Sequence, residues 1–453
     1  MNRSNIVIII LTLLFGLLIA ALPTLFKSPT LTVGIVLGLV VCLVTLINTE
    51  AGLIVLIFSM LLSPEIEIAQ VPSRAVVVRI DDILLLVIFF TWLAKTAVNK
   101  ELPLLRYTPV NLPIVIYIVI CIVTSVKGAI VGTADPVKAM FYIIKYIEYF
   151  LVFFMVVNNL KSPKQVERFM ALIMATCFIV CIVAWFQIAA GAYRVTAPFE
   201  GLEGEPNTFG GYLLFIWAII FGIFWNTDNV RWKFFTGAML FYIIPPFLYT
   251  LSRASYMGAV PMFLTFIILT EKGRWILIAL LVIAVMAGAV FFPDVVKGRI
   301  TQTFSGEEHK IAGRVLKIDG SAAARMRLWN KVMTEMWPKK PLFGFGSGYF
   351  LIDGQYLTVL AENGVAGLFV FVWIMMAIFR EGMITLYKMK ENGFARGVCL
   401  GFLAGMVGLL IHSITANSFI IVRIMEPFWF MTAIVVMLRY MYPQHAVGVK
   451  QAV

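Results

Sequence analysis

Residues 325–367, RMRLWNKVMTEMWPKKPLFGFGSGYFLIDGQYLTVLAENGVAG, concentrate charge in an otherwise apolar chain. The stretch begins with a basic, tryptophan-containing segment and continues through a Pro-Leu-Phe-Gly turn and a glycine-rich loop. An apolar segment follows after Asp353, and long apolar runs also occupy most of the chain before residue 325. The fold therefore depends on how this polar stretch is placed relative to a membrane.

The composition indicates a polytopic membrane protein. Of 453 residues, 61% are hydrophobic and 13% charged, with a mean hydropathy of +0.95, whereas roughly a quarter of the residues in soluble domains are charged. The net charge of +12 does not indicate nucleic acid as a partner here, because excess Lys and Arg in membrane proteins collects in cytoplasmic loops. The five cysteines lie in apolar runs without a CxxC pair or a nearby histidine cluster, so we expect neither disulfides nor a zinc site.

A membrane span needs about 20 mainly apolar residues, and this criterion predicts an all-α protein with about 12–14 transmembrane helices and one long external loop that contains interfacial helices. The first apolar segment is longer than the core of a typical signal peptide, so we interpret it as an uncleaved span. The predicted segments are 5–26, 30–48, 50–63, 82–98, 110–132, 137–158, 169–190, 207–226, 233–250, 254–270, 275–292, 355–380, 396–417 and 424–441.

The loop charges predict the orientation. With a cytoplasmic N terminus, the loops on that side contain roughly twice as many Lys and Arg as the short loops on the other side, as the positive-inside rule requires. We therefore expect both termini in the cytoplasm. The predicted regions are an N-terminal transmembrane bundle (1–292), an external loop with an amphipathic helix (293–354), C-terminal transmembrane helices (355–442) and a cytoplasmic tail (443–453).

Residues 324–337 have the pattern of a helix that lies in the membrane interface. Leu328, Val332 and Met336 recur at helical spacing, with tryptophans beside them and most charges elsewhere. This arrangement is typical of interfacial helices whose tryptophans lie at headgroup depth. The glycine-rich run 344–348 is no nucleotide-binding fingerprint, because no strand is predicted before it. It predicts a tight loop whose backbone approaches a lipid or a sugar.

Two predicted spans contain features that are unusual in lipid. Lys145 and Glu148 are one helical turn apart, which predicts an internal ion pair that stabilises the bundle. Pro245 and Pro246 interrupt another span and predict a broken helix near its outer end.

The predicted orientation places Arg194, Arg253, Arg423 and the long loop on the external face. Arginine suits the binding of phosphate because its planar fork contacts two oxygens and keeps its charge. A single arginine at the end of a span is more often an interfacial anchor than a ligand-binding residue. The prediction of a binding site therefore depends on several arginines sharing one face, and not on any single arginine.

Several motifs occur in a characteristic order. An arginine-containing loop precedes a helix start at Pro206-Asn207, and Thr250-Leu251-Ser252-Arg253 opens a later span. An R-x-x-x-W segment and P-L-F-G-x-G follow, and then Asp353-Gly354 precedes Gly364-Val365-Ala366-Gly367 by nine residues. Over roughly residues 75–440, this order resembles the O-antigen ligase and polymerase superfamily. Its members are membrane enzymes that handle undecaprenyl-pyrophosphate-linked glycans on the periplasmic or outer face.

The resemblance implies a metal-independent glycosyltransferase of the bacterial inner membrane, without a cofactor. Ligases that attach O-antigen to lipid A core have a histidine where this chain has Asp353, so the chain looks more like the polymerase branch. Such an enzyme transfers an undecaprenyl-pyrophosphate-linked glycan to a sugar hydroxyl of another lipid-linked repeat unit. Besides the bilayer, the implied partners are a chain-length regulator and a flippase. The alternatives are a ligase of the same superfamily and a transporter of lipid-linked sugar, although a transporter should show inverted repeats.

Transfer from a lipid pyrophosphate requires positive charge at the leaving group and a group that accepts the acceptor's proton. Arg194 and Arg253 are predicted to hold the pyrophosphate, and Asp353 is predicted to orient or deprotonate the acceptor. Asp353 has an alternative interpretation as only a helix N-cap, and Glu205 is the alternative base. The predicted substrate-binding residues are Arg325, Arg327, Arg423, Glu205 and Tyr356.

Overall fold

The computed structural model is that of an all-α, multi-pass membrane protein to which two short β-hairpins are added. It describes residues 29–71, 74–99, 106–199, 204–271, 273–302, 308–311, 314–349 and 352–442. Within these ranges, seven helices are long and apolar enough to cross a membrane, and four shorter apolar helical segments accompany them. The predicted span 5–26 and the tail 443–453 lie outside the described residues.

Each predicted segment from 30–48 onward coincides with one helix, and the region 293–354 contains two further helices and a hairpin. The helices are α1 (Pro29–Ile47), α2 (Thr49–Leu62), α3 (Ile80–Asn99), α4 (Asn111–Ile130), α5 (Pro136–Asn159), α6 (Pro163–Ala189), α7 (Pro206–Asn226), α8 (Val230–Tyr249), α9 (Arg253–Leu269), α10 (Arg274–Phe291), α11 (Asp294–Thr301), α12 (Gly320–Lys331), α13 (Gln355–Lys388), α14 (Gly393–His412) and α15 (Val422–Met441). Two antiparallel hairpins pair β1 (Glu65–Val71) with β2 (Arg74–Arg79) and β3 (Glu308–Ile311) with β4 (Arg314–Lys317).

The ends of α6, α8 and α14 and the starts of α7, α9, α13 and α15 lie on one face of the bundle, called the site face below. Val195, after α6, donates its backbone N–H to the backbone oxygen of Tyr249 at the end of α8 (3.0 Å). Gln355, at the start of α13, donates to the backbone oxygen of Ser413 just after α14 (2.9 Å). The other ends of these helices form the opposite face. The direction of these helices therefore alternates as predicted, and the side of the membrane that each face occupies stays a prediction.

Local sequence signals explain where the helices of the site face begin. The Ser252 side chain accepts a hydrogen bond from the backbone N–H of Ser255, so α9 starts at Arg253. Asp319 accepts from the backbone N–H of Ala322 (2.9 Å) and starts α12 in the same way. Serine and aspartate are preferred at this position because they satisfy N–H groups that the helix leaves unpaired. Arg253 and Asp319 are thus both fixed at helix starts.

Close helix packing fixes the starts of α7 and α9 relative to each other. A Cβ atom added to Gly211, near the start of α7, would lie 3.1 Å from Cε1 of His412 at the end of α14. A Cβ atom added to Gly258 of α9 would lie 2.6 Å from the backbone oxygen of Gly408, also in α14. Small residues allow helix backbones to approach closely in membranes. Because α14 holds both helices, the side chains at their site-face ends keep a defined spacing.

Helix α13 is longer than the predicted segment 355–380 and is divided by a kink. Gly364 has φ +67° and ψ −166°, so residues 355–363 and 365–388 form two helical pieces. The glycine-rich loop packs into the kink. There, the backbone N–H of Phe345 donates to the backbone oxygen of Ala361 (2.9 Å), and the backbone N–H of Gly346 donates to the backbone oxygen of Glu362 (2.8 Å). The backbone of this loop therefore packs closely against α13. The predicted approach of the loop to a lipid or a sugar stays a prediction.

The predicted amphipathic helix 324–337 begins earlier, as α12, and continues into a π-helical turn (Val332–Met336) and a 3₁₀ turn (Trp337–Lys339). Its apolar stripe packs against the protein and so does not face lipid, whereas the position of the helix at the membrane interface stays a prediction. Periodicity identifies an apolar face but not the surface that covers it. The stripe joins a small core whose buried members are Val332, Met336, Phe345, Ile352 and Ala361.

The prediction of a break at Pro245 and Pro246 is wrong. Helix α8 continues through both prolines to Tyr249. Proline is tolerated in membrane helices when neighbouring groups satisfy the freed backbone. The chain leaves the helix only afterwards, at Leu251, which is buried with a φ of +49°.

Candidate functional site

Arg194 lies half-buried in the loop between α6 and α7. Its Nε donates to the backbone oxygen of Thr250 (2.9 Å), just after α8. Nη2 of Arg194 donates to Oδ1 of Asn207 in the first turn of α7 (3.4 Å). These contacts hold the guanidinium between the starts of α7 and α9.

Arg253, the first residue of α9, forms an ion pair with Asp319, the N-cap of α12. Nη1 of Arg253 lies 2.7 Å from Oδ2 of Asp319, and the two side chains are 16% and 18% exposed. The other carboxylate oxygen of Asp319 accepts the Ala322 N–H. The pair connects the membrane bundle to the region 293–354, a contact that the sequence patterns did not predict.

A third arginine, Arg299 of α11, belongs to the same group and was missed in the sequence. It interacts electrostatically with Arg194, Asp319 and Tyr256. Its Nε atom is buried and has no hydrogen-bond partner within the part of the chain that the structure describes. Arg299 belongs to none of the motifs, and its loop was excluded from the orientation count because long loops do not follow the positive-inside rule. We call Arg194, Arg253, Arg299 and Asp319 the arginine cluster.

The arginine cluster has the electrostatics of an anion site. The pKa of Arg194 is lowered from its ordinary value by burial and then by repulsion from Arg299, with a smaller effect of Arg253 and partial compensation by two tyrosines. The Asp319 carboxylate interacts with Arg253 and Arg299, and both of these arginines repel Arg194. A bound anion would relieve this repulsion, and arginine forks match the oxygens of phosphate groups. The cluster is therefore suited to a phosphate-type anion.

Helix α12 connects the arginine cluster to a second polar pair. Arg325 donates from Nε to Oδ2 of Asp353 (3.0 Å), and the two side chains are 23% and 58% exposed. Trp329, one turn later, donates from its indole nitrogen to the backbone oxygen of Asp353 (2.6 Å). Asp319 and Arg325 are separated by about 9 Å along the helix at 1.5 Å per residue. The site face thus combines a group of arginines suited to an anion with an oriented, accessible carboxylate.

The interpretation of Asp353 as only a helix cap is wrong. Gly354, with a φ of +127°, occupies the N-cap position of α13, and Asp353 directs its carboxylate to Arg325. A Cβ atom on Gly354 would lie 2.8 Å from the backbone oxygen of Ile414, which explains the glycine at this position.

Arg423 is buried and contacts backbone oxygens, although the sequence placed it among the substrate-binding residues. It is 2% exposed. Its guanidinium donates to the backbone oxygens of Pro198 (2.7 Å) and Phe199 (2.8 Å), in the loop that carries Arg194. A third contact, at 3.4 Å, reaches the backbone oxygen of Leu61 in α2. These contacts give Arg423 a positioning role for the Arg194 loop.

Of the other predicted binding residues, Glu205 and Tyr356 lie at the starts of α7 and α13, and Arg327 lies within α12. Glu205 accepts the hydroxyl of Thr208 at the start of α7 (3.0 Å). Tyr356 donates its hydroxyl to the backbone oxygen of Leu410 (2.7 Å). Arg327 is exposed on α12, where its Nε donates to a backbone oxygen one turn earlier. The described hydrogen bonds of these three side chains reach only their own helices or α14.

An apolar groove begins at Tyr356, in the first turn of α13. It has a volume of about 430 Å³ and lies between α13 and α14, with Tyr356 at one end and Arg380 towards the opposite face. Phe371, Met375 and Leu410 line its middle. The groove offers apolar surface within the bundle directly beside the residues of the site face.

Comparison with known protein families and with curated proteins finds no match to this chain.

Proposed function

We propose that the protein is a membrane glycosyltransferase of the polymerase type, which acts on glycans linked to undecaprenyl pyrophosphate. The observation that supports this proposal most strongly is the convergence of Arg194, Arg253 and Arg299 at the site face, beside the accessible carboxylate of Asp353. The excess of Lys and Arg in the loops of the opposite face favours an external, periplasmic position of the site face.

The arginine cluster would act on the leaving group. In the proposed reaction, the bond between the anomeric carbon of the growing glycan and its pyrophosphate breaks, and the lipid pyrophosphate leaves with the electron pair. Negative charge develops on the leaving oxygen, and preorganised positive groups stabilise such charge most effectively in a partly dehydrated site. Arg194 and Arg253 are held in place by the loop after α8 and by Asp319, so little reorganisation is needed when the charge develops.

Asp353 would act on the acceptor. A sugar hydroxyl of the second lipid-linked repeat unit forms the new bond to the anomeric carbon, and its proton passes to the Asp353 carboxylate or to water that this carboxylate orients. Arg325 and Trp329 hold Asp353 from two sides. Its 58% exposure leaves room for the acceptor.

Glycan analysis in the native host tests this function. Lipid-linked and surface glycans from a strain that lacks the protein are compared by mass spectrometry with those from strains carrying the wild type, Arg253→Ala or Arg231→Ala. Arg231, exposed on the opposite face, is the matched control. Removal of one donor that stabilises a transition state typically costs about 100- to 1,000-fold in rate.

We expect single repeat units to dominate without the protein and with Arg253→Ala, and long chains to persist with Arg231→Ala. Long chains that accumulate on undecaprenyl pyrophosphate without reaching a final carrier would instead identify a ligase. Unchanged glycans in the deletion strain would exclude both enzymes.

A further inference from the structure

A buried group of charged side chains lies beneath the site face and has no role in the proposed function. It gathers residues from the second hairpin strand, from the start of α3, from the middle of α5 and from the first turns of α15. Its members, called the carboxylate cluster, are Arg79, Asp81, Asp82, Lys145, Glu148 and Glu426.

Arg79 pairs with the two aspartates that start α3. Its side chain donates to both carboxylate oxygens of Asp81, and its backbone N–H donates to Asp82 (2.9 Å). It also donates to the backbone oxygen of Met60 (2.9 Å). Asp81 is fully buried, and its backbone N–H donates to Oγ of Ser63 (2.8 Å). The positive charge of Arg79 is thus already paired with the carboxylate of Asp81.

The predicted ion pair between Lys145 and Glu148 is confirmed, at 3.2 Å. The sequence did not predict that Lys145 lies even closer to Asp82, with 2.5 Å between Nζ and Oδ2. Lys145 therefore forms ion pairs with two carboxylates, those of Asp82 and Glu148. Its side chain is 23% exposed and is the most accessible of the ion-paired members of the cluster.

Glu426 differs from the other carboxylates. It is fully buried, and neither of its carboxylate oxygens has a hydrogen-bond partner among the described residues. The charged groups that face it are Asp81, Arg79, Asp82 and Glu148. Arg423 lies one turn earlier on the same helix and directs its described hydrogen bonds to backbone oxygens.

The charges of the cluster do not balance. Within the described residues, four carboxylates accompany two cations, and the carboxylates remain in excess even when Arg423 is counted as a third. An uncompensated charge in a protein interior costs several kcal/mol, so a buried group usually neutralises instead. The described residues contain no group of three or more His, Cys, Asp and Glu side chains arranged to hold a metal ion. A proton is the ligand that fits this arrangement.

We propose that the carboxylate cluster is a proton-binding site in which Glu426 carries an exchangeable proton at neutral pH. The other three carboxylates already receive hydrogen bonds or ion pairs from Arg79 or Lys145, whereas Glu426 receives neither. The proton comes from water and converts the Glu426 carboxylate to a carboxylic acid. Because Glu426 lies one turn from Arg423, which holds the loop of Arg194, loss of this proton would place a new negative charge beside that anchor. This inference does not depend on the glycan chemistry.

Infrared spectroscopy of the purified full-length protein in lipid nanodiscs tests the site. A protonated glutamate gives a carboxylic acid C=O band that shifts when the glutamate carboxyl carbon is labelled with carbon-13. We expect the wild-type minus Glu426→Gln difference spectrum at neutral pH to contain one such labelled band. The band should decline when the wild-type protein is moved to alkaline buffer. Glutamine resembles the neutral acid in shape, so the melting temperature of this variant should stay near that of the wild type.

Glu381 provides the matched control. It is as buried as Glu426 but pairs with a single cation, Arg439, near the opposite face. The wild-type minus Glu381→Gln spectrum should lack the acid band. If the labelled wild-type protein shows no acid band at neutral pH, Glu426 is ionised and the proposal is wrong, whether or not any variant folds. An acid band of unchanged intensity in Glu426→Gln would also overturn the assignment.

Discussion

The arginine cluster and the carboxylate cluster have opposite charge imbalances and different access to water. In the first, three guanidiniums accompany Asp319, and the side chains of the central pair, Arg253 and Asp319, are 16% and 18% exposed. In the second, carboxylates are in excess, and Glu426 is completely buried. Water and ions can compensate charge at a partly open site, whereas a buried site must be neutral in itself. The first imbalance therefore suits a ligand, and the second must be removed by a proton.

Helix α15 connects the two regions. Arg423 holds the loop that carries Arg194, and Glu426 follows it by one turn. Substitutions in the arginine cluster should act mainly on binding, with small effects on unfolding, whereas substitutions in the carboxylate cluster should act strongly on unfolding. The following substitutions test this division.

The largest effect is expected for Arg79→Met. It removes the partner of Asp81 and leaves a fully buried carboxylate without its cation. Breaking a buried ion pair from one side typically costs about 3–5 kcal/mol. Unfolding of the purified protein should therefore occur at a clearly lower temperature or denaturant concentration.

The double variant Arg79→Met/Asp81→Asn provides the control for Arg79→Met. It removes the charge of both partners and should regain much of the lost stability, since a neutral replacement of a buried pair is often tolerated. If the single and double variants were equally unstable, the packing of Arg79 and not its charge would explain the loss.

Arg299→Ala should weaken binding at the arginine cluster. A hydrogen bond to a charged group contributes about 1.5–3 kcal/mol, which corresponds to a roughly 10- to 100-fold change in affinity. Binding of inorganic pyrophosphate to the detergent-solubilised protein can be measured by calorimetry. Lys297→Ala is the matched control, because Lys297 lies on the same helix and its amino group contacts the backbone oxygen of Val290 (2.9 Å). Equal weakening in both variants would indicate a general charge effect.

The spans were predictable because apolar length is a local property of the sequence. The contribution of Arg299 to the arginine cluster was not predictable. Nothing in its short helix distinguishes it from a solvated surface arginine, and only the fold brings it to Arg194. Glu426 had a detectable signal, since an ionisable residue within a span is unusual, but the charged groups around it come from β2, α3 and α5. The apolar stripe of residues 324–337 was correctly recognised. It packs against Phe345 of the glycine-rich loop and against Ile352 and Ala361, and not against lipid. Sequence patterns thus identified faces and charges, and tertiary packing decided what they contact.

Asp319→Asn should strengthen binding of pyrophosphate. Asparagine caps helices as well as aspartate does, so the start of α12 is preserved while the competing negative charge is removed. A partly exposed ion pair contributes about 0.2–1 kcal/mol, so the affinity should rise up to about fivefold. Asp319→Ala, which also loses the cap, separates the two effects, because it should lower stability by about 1 kcal/mol. Weaker binding by Asp319→Asn would show that Asp319 positions Arg253 more than it competes with the anion.

The smallest effect concerns the acid stability of the Arg253–Asp319 pair. Burial raises the pKa of Asp319, but the Ala322 N–H, Arg253 and Arg299 outweigh burial and lower the pKa below its ordinary value. A carboxyl group with a lowered pKa stabilises the folded protein fully above the pKa of the unfolded chain, about 3.9, and loses this contribution as the pH falls through the lower folded value. The stability difference between wild type and Asp319→Asn should therefore be constant at neutral and mildly acidic pH and shrink only below about pH 4. Unfolding curves of both proteins across this range provide the measurement. A difference that already shrinks towards pH 6 would show that another titrating group, and not Asp319, is responsible.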